Sequence, residues 1–296
     1  MPSTITPGTW DARAVILRRL PSAEQFLQIA GAFLAAREAE HNLMLGLAGR
    51  LVAEPARHGH EPYLAVVTED ETVVGAFLRT PPHNLVLSEL DDPAVVDLVA
   101  ADLLEVDPSL TGVLGPKVAA ARFASAWRQL GGATSRVAMG ERIYRADRTR
   151  APAGVPGRMR AYEPGDRETT LRWLGEFAEE ALVPGGPPLE AEDWLEGRLR
   201  EPEGGVVIWE GTSPVSVAGF GNPTPTGIRI GPVYTPPELR RRGYATALVA
   251  ALTEVLLRGG RRYCFLFTDL ANPTSNSIYQ RIGYTPVTDV DMWVFG

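Results

Sequence analysis

Two domains of the α/β (α+β) class are predicted, and three observations predict them. The 296 residues are long for one compact domain and comfortable for two. Composition breaks once, at the Pro-, Gly- and Arg-rich run RTRAPAGVPGR of Arg148–Arg158, which reads as an interdomain linker. On either side of that break, stretches of strand and helix period follow one another in the same order. The expected division is 1–147, a linker at 148–158, and 159–296.

In the second domain MRAYE is a short first strand, followed by helical stretches around 167–182 and 190–200. Strands are expected at VVIWE (206–210), VSVAGF (215–220) and IRIGPVYT (228–235). A helix at 239–258, a strand YCFLFTD (263–269), a helix at 273–282 and two closing strands complete it. The first domain offers a strand near 13–19, a helix at about 22–50, and the strands LAVVTE, VVGAFLRT and LVLSEL. A helix at about 93–105, the strand TGVLG, a helix at 116–130 and two strands up to Arg145 follow. Gly75 and Gly219 occupy matching places in matching strands, so the order reads as an internal duplication at low sequence identity.

Bulk composition narrows the function classes. Apolar residues make up 45% and charged residues 22%, ordinary for a chain that buries real cores. The net charge of −7 argues against a nucleic-acid partner, because neutralising phosphates needs a clustered basic surface. One cysteine allows no internal disulfide and points to a reducing, cytoplasmic setting. The start, MPSTITPGTWDARAV, lacks a basic segment followed by an apolar core, and no apolar run approaches the ~20 residues of a membrane span. His41, His58 and His60 share a stretch without metal-site spacing and read as ordinary surface or pocket residues; no metal is expected.

Gly231 to Val249, GPVYTPPELRRRGYATALV, is the most informative stretch. A strand ends at Thr235, Pro236-Pro237 breaks it, and three arginines lead to Gly243 and a helix. Ala245, Leu248, Val249, Leu252, Val255 and Leu256 follow helical spacing, and Gly259-Gly260 ends the helix. A turn that carries glycine into a helix start aims free N–H groups and the positive dipole end at one spot, which suits a phosphate or pyrophosphate. Gly243 admits the backbone to the anion, and Arg240, Arg241 and Arg242 add charge. The plainer reading is a surface helix with a basic first turn, but arginines there oppose the dipole.

The string Arg240-x-x-Gly243-x-Ala245, preceded by Val233-Tyr234-Thr235, resembles the acetyl-CoA signature of the GNAT superfamily of N-acetyltransferases. Asn272, Tyr279 and Gly283-Tyr284 resemble its second CoA-binding segment, so the resemblance covers about 140 residues. It implies two GNAT-like domains, each with a mixed, mostly antiparallel central sheet flanked by helices, and acetyl-CoA as co-substrate. It further implies that the backbone of Val233, Tyr234 and Thr235 pairs with the pantetheine arm. The amides of Arg241, Arg242, Gly243, Tyr244, Ala245 and Thr246 then hold the pyrophosphate, with Arg240 alongside. Asn272 bonds the pantetheine region, and Tyr279 protonates the departing thiolate. Asn272 before Pro273 is equally a helix N-cap, Tyr279 could be a core residue, and Asn276 is expected to bond backbone or solvent.

An amine attacks only as the free base, so some group must take its proton. The second domain holds no histidine; Glu210, ending VVIWE, is the first carboxylate to consider and Asp269 the second. Cys264, in an apolar strand, reads as core, which favours direct transfer in a ternary complex over an acyl-cysteine. In the first domain the matching turn reads SELDDPAVVDL, where Asp91 and Asp92 would repel an anionic cofactor while capping a helix. That copy is expected to have lost CoA binding and to complete the acceptor pocket, set orientation or make a homodimer contact. The leading expectation is transfer of acetyl to a primary amine of a small molecule or peptide. The alternatives are a longer acyl group or oxygen acceptor, and a non-catalytic acyl-CoA sensor, against which the intact Tyr279 argues. Acidic residues across 179–203 suit a cationic acceptor, and PGGPP at 184–188 reads as a lid.

Overall fold

Each half of the chain folds into the same succession of elements, a strand, two helices, three strands, a helix, a strand, a helix and a strand. In the computed structural model, residues 14–55, 60–131, 133–181 and 190–296 are described; the expected lid at 184–188 and His58 lie outside them. The first half runs β1 (Val15–Arg19), α1 (Ala23–Ala36), α2 (Asn42–Ala53), β2 (Tyr63–Glu69), β3 (Thr72–Arg79) and β4 (Leu85–Leu87). It closes with α3 (Val95–Val106), β5 (Gly112–Pro116), α4 (Lys117–Gly131) and β6 (Ser135–Ala146). The second half runs β7 (Arg158–Ala161), α5 (Arg167–Glu180), α6 (Ala191–Arg200), β8 (Gly205–Glu210), β9 (Pro214–Gly221) and β10 (Gly227–Tyr234). It closes with α7 (Tyr244–Arg258), β11 (Tyr263–Asp269), α8 (Pro273–Arg281) and β12 (Thr285–Phe295).

Local signals place most of the ends. Ser22 accepts from the Gln25 amide at 3.3 Å and starts α1, as a hydroxyl N-cap should. Gly260, at φ +103, ends α7 with its N–H on the Leu257 carbonyl and that of Arg261 on Leu256. The single helix expected over 22–50 is instead two, because His41 takes the turn between them inside. Its Nδ1 sits 2.9 Å from the Leu34 carbonyl and its Nε2 2.9 Å from the Glu89 amide. The amide must donate, so Nε2 is the bare nitrogen and the ring is neutral; burial holds its pKa below the usual histidine range. The two closing strands expected in each half are one long strand each, and register shifts at Pro286/Thr288 and Met292/Trp293 account for the apparent break in β12.

The strands form one sheet in the order β1-β2-β3-β4-β5-β12-β6-β11-β10-β9-β8-β7. Its middle is an exchange. β12, from the second half, pairs antiparallel with β5, and β6, from the first half, pairs antiparallel with β11. The two exchanged strands also pair with each other, from Thr285↔Arg145 to Phe295↔Ser135. The division of the chain at 148–158 is thus not a division of the sheet.

Helices cover both faces. Leu64, Val66, Ala76 and Leu78 meet α1 and α2 on one face, while Ala65, Val67 and Phe77 meet α3 and α4 on the other, as strand alternation requires. In the second half Val206, Ile208 and Val217 pack on α5 and α6, and Val207, Ala218, Ile228 and Leu266 on α7. Leu43 of α2 packs against the seam formed by Ile143, Val290 and Phe267, which puts α1 and α2 on the same face as α5 and α6. Glu38, between α1 and α2, grips the β9–β10 turn, accepting from the amides of Thr226 at 2.8 Å and Gly227 at 3.1 Å. The run read as a linker also lies against the second half. The Ile282 carbonyl accepts from Thr149 Oγ1 and the Arg150 amide, and the Pro156 carbonyl from Trp209 Nε1.

Candidate active site

β10 pairs with β9 along its length but with β11 only over Gly227–Arg229. Past Arg229 its register slips against β9, and the two parallel strands separate into a cleft. The Tyr234 carbonyl accepts from Ser216 Oγ of β9 at 2.8 Å and so points toward β9. Successive residues turn their N–H and C=O to opposite edges, so those of Val233 face the open edge toward β11.

The chain then makes a short 3-10 turn at Pro237–Leu239 and enters α7 through two left-handed residues, Arg241 at φ +64 and Gly243 at φ +83. A Cβ at Gly243 would lie 3.0 Å from Val155 in a conformation L-residues avoid, so the position requires glycine. The amides of Arg241, Arg242 and Gly243 donate to no group among the described residues, and α7 has no side-chain N-cap. With the first amides of the helix, which lack an i−4 carbonyl, they form an uncapped cluster of donors at a helix N-terminus. Arg240 is not free to join it. Its Nε donates to the Thr235 carbonyl at 2.8 Å, its Nη2 to both Glu180 oxygens at 2.7 Å, and it covers the Tyr234 ring. Tyr234 is 4% exposed, packed between β8, β9 and α5, so its side chain is core. Exposed Arg242 reaches the Glu238 carbonyl.

α8 brings the second group. Asn272 Oδ1 accepts from the Ser275 amide at 3.0 Å, the N-cap that Pro273 foreshadows. Asn276 ties α8 to the sheet: its Nδ2 donates to the Asp269 and Asn272 carbonyls and its Oδ1 accepts from Thr268 and Tyr144. One turn on, the half-buried Tyr279 ring lies between Tyr144, with centroids 6.3 Å apart, and Tyr284, at 6.0 Å. Its hydroxyl has no hydrogen bond among the described residues, and burial pushes its pKa up to about 12. It is therefore a phenol that keeps its proton at neutral pH and can donate it.

Three carboxylates matter, and the structure separates them. Glu210 Oε1 accepts from Arg160 Nε at 2.9 Å, and the same guanidinium holds Asp166. Bound in that network on β8, two strands from β10, Glu210 is engaged in an ion pair. Asp269 ends β11 beside the cleft, and its Oδ1 accepts from the Ala271 amide at 2.8 Å. Directly across from it in the ladder stands Glu141 of β6. Burial, with Asp269 nearby adding to it, raises the Glu141 pKa against the pull of Arg229. Glu141 belongs to the first half of the sequence and reaches this site only by strand exchange.

Val233 and the Arg241–Thr246 amides thus stand along and just beyond the open edge of β10, with Asp269 at the end of β11 and Tyr279 on the helix that follows it. Arg240, Tyr234 and Glu210 are engaged by structural partners. Cys264 is buried with its thiol pushed up to about 12, a core residue as expected. Among the described residues no helix is long and apolar enough to cross a membrane, and no group of His, Cys, Asp and Glu could hold a metal.

A parallel pair that splays at a bulge, followed by a glycine-entered helix with open amides, is the arrangement that the resemblance to acetyltransferases implies. Residues 168–284 match the model of the acetyltransferase (GNAT) family, and the second half of the chain is a GNAT acetyltransferase domain. The family uses acetyl-CoA as co-substrate and acts on amine acceptors. A solved Drosophila protein aligns at TM-score 0.65 and 14% identity, over 95% of this chain and 98% of its own. A GCN5-related N-acetyltransferase from Sphaerobacter thermophilus aligns at 0.60 and 18%, over 95% of each chain. A tandem GNAT protein from the clavulanic acid biosynthesis pathway aligns at 0.57 and 16%, over 96% of this chain and 98% of its own. At these identities the likeness is one of fold, and it spans both halves. No curated protein matches the chain.

Proposed function

We propose that the second half is an N-acetyltransferase that moves acetyl from acetyl-CoA directly to an amine. The observation that carries this reading is the uncapped cluster of amides from Arg241 to Thr246 beside the open edge of Val233. A pyrophosphate supplies the acceptors those amides lack. The pantetheine arm extends along the Val233 edge as an added strand, and the Val233 N–H polarises the thioester carbonyl. Asn272 and Arg240 act from behind, one capping α8 and the other fixing the loop to Glu180.

Glu141, with Asp269 beside it, takes a proton from the bound ammonium and so frees the amine that attacks; a carboxylate of raised pKa is better matched to that task than one held by Arg160. The amine nitrogen bonds to the carbonyl carbon, the carbon–sulfur bond breaks, the sulfur leaves with the proton of Tyr279, and the proton then lost by the new amide nitrogen restores the Tyr279 phenol. The burial of Cys264 supports direct transfer over an acyl-cysteine. In this reading the first half is a degenerate copy that lends Glu141 and a wall of the acceptor pocket. Calorimetry with acetyl-CoA tests the assignment: one site per chain, lost on Gly243→Glu, is expected. Two sites, or none, would overturn it.

A further inference from the structure

Arg229 is a cation beside the cleft that makes no close ion pair among the described residues, with Glu141 attracting it from a distance. It is the last residue of β10 to pair with β11, opposite Phe265. Its neighbours Ile228 and Ile230 face α7, so its side chain turns to the other face, the one covered by α2, α5 and α6. The guanidinium does not stay level with Phe265. It lies 4.7 Å from the ring centroid of Phe267, two residues further along β11, and so leans toward the open end of the strands. Among the described residues it has no hydrogen bond and no ion pair.

The charges around it are unevenly placed. Arg198 and Arg50 are close enough to act on it, and both are engaged, Arg198 with Glu201 at 2.7 Å and Arg50 with Asn222. Burial first, then Arg198 and Arg50, pull the pKa of Arg229 down to about 10 against the opposing attraction of Glu141, which leaves it charged at neutral pH. A half-buried charge of this kind costs stability unless something pairs with it. Glu141 and Asp269 stand two residues beyond Phe267, roughly 7 Å further along the strand. The cleft therefore has cations at one end and carboxylates at the other. α2 supplies part of its wall, with Leu43 against Phe267 and Arg50 alongside.

We propose that the acceptor is a small molecule carrying both an amine and a carboxylate, the carboxylate seated on Arg229 and the amine directed to Glu141 and Asp269. The proposal rests on the reading of the second half as an N-acetyltransferase. A guanidinium offers a carboxylate two parallel donors, and Phe267 holds its plane. The pairing also gives the first half a purpose, since α2 and β6 build the acceptor site while the second half alone holds the cofactor.

Thiol release from acetyl-CoA is measured with amino acids of increasing length, each beside the amine obtained by removing its carboxylate. The acids are expected to be the better acceptors. Arg229→Gln lowers the preference in kcat/KM for acid over decarboxylated partner by about ten- to one-hundred-fold, the worth of a charged hydrogen bond. Arg229→Lys restores part of it. Acetyl-CoA calorimetry on each variant reports whether its cofactor site is intact. A wild-type enzyme that prefers the decarboxylated amines, or turns over no acid, overturns the proposal, as does a preference that Arg229→Gln leaves unmoved. Failure of the wild type to bind acetyl-CoA would instead sink the acetyltransferase reading.

Discussion

The turn from β4 into α3 and the turn from β10 into α7 stand at corresponding places in the two halves and do opposite things. Before α3, Asp92 Oδ1 accepts from the Ala94 amide at 2.8 Å, and the amides of Val95, Val96 and Asp97 reach Asp92, Pro93 and Ala94 carbonyls. Asp91 pairs with Arg37. That helix start is closed by one aspartate side chain and by backbone carbonyls, and it carries negative charge. Before α7 two left-handed residues, one a glycine, leave the amides of Arg241, Arg242 and Gly243 without partners among the described residues, with arginine side chains nearby. The lesson is that the fold supplies only a helix N-terminus behind a splayed strand pair; whether it becomes a cap or an anion cradle depends on four or five residues. A cleft also lies beside α3, lined by Glu89, Pro93, Lys117 and Arg142 of the first half and by Asp289 of β12.

Breaking the cradle is the strongest test of this contrast. Gly243→Glu forces a side chain into left-handed backbone against Val155 and puts a carboxylate among the donors. Acetyl-CoA affinity measured by calorimetry is expected to fall at least about 100-fold; unchanged affinity would mean that the two turns do not differ in function. Tyr279→Phe keeps the ring packing on Tyr144 and Tyr284 but removes the proton. Turnover is expected to drop about 100-fold or more with the acetyl-CoA Kd nearly constant, and a wild-type rate would return Tyr279 to the core.

Glu141→Gln asks whether the first half reaches into the chemistry of the second. Glu141 accepts a proton only when ionised, and its raised pKa places the acid limb of kcat/KM above the ordinary carboxylate range. Activity therefore falls as pH drops through that raised value. The Gln variant is expected to be about 10- to 100-fold slower and to lose this limb, whereas a pH profile superimposable on the wild type would remove Glu141 from the mechanism. The smallest effect is expected from Asp92→Ala. Loss of the Asp92–Ala94 hydrogen bond should cost about 1 kcal/mol in thermal or denaturant unfolding and leave acetyl-CoA binding untouched; weaker acetyl-CoA binding would show that this turn takes part in holding the cofactor.

Much of this was legible in the sequence where a local rule decides. The paired element order, the Asn272 cap, the glycine end of α7 and the Gly243 entry each depend on a few neighbouring residues, and each lies where its local chemistry puts it. The errors share a different cause. Arg240 reads as a phosphate ligand because its spacing fits, yet Glu180, sixty residues away on α5, occupies it. Glu210 reads as a base because it ends a strand, yet Arg160 on a neighbouring strand binds it. The helix over 22–50 divides because His41 finds the Glu89 amide. No periodicity contains such distant partners.

By itself the sequence determined that the chain has two similarly built halves, that one of them carries a glycine-entered helix suited to an anion, and that the other carries aspartates there. Those properties follow from backbone conformation and charge at single turns. Only the tertiary structure decided that the halves exchange their last strands, which sets Glu141 of the first opposite Asp269 of the second and leaves Arg229 facing both across the cleft. Strand pairing across such a span depends on which edge is vacant once the sheet has formed. That is a property of the assembled sheet, and no segment carries it alone.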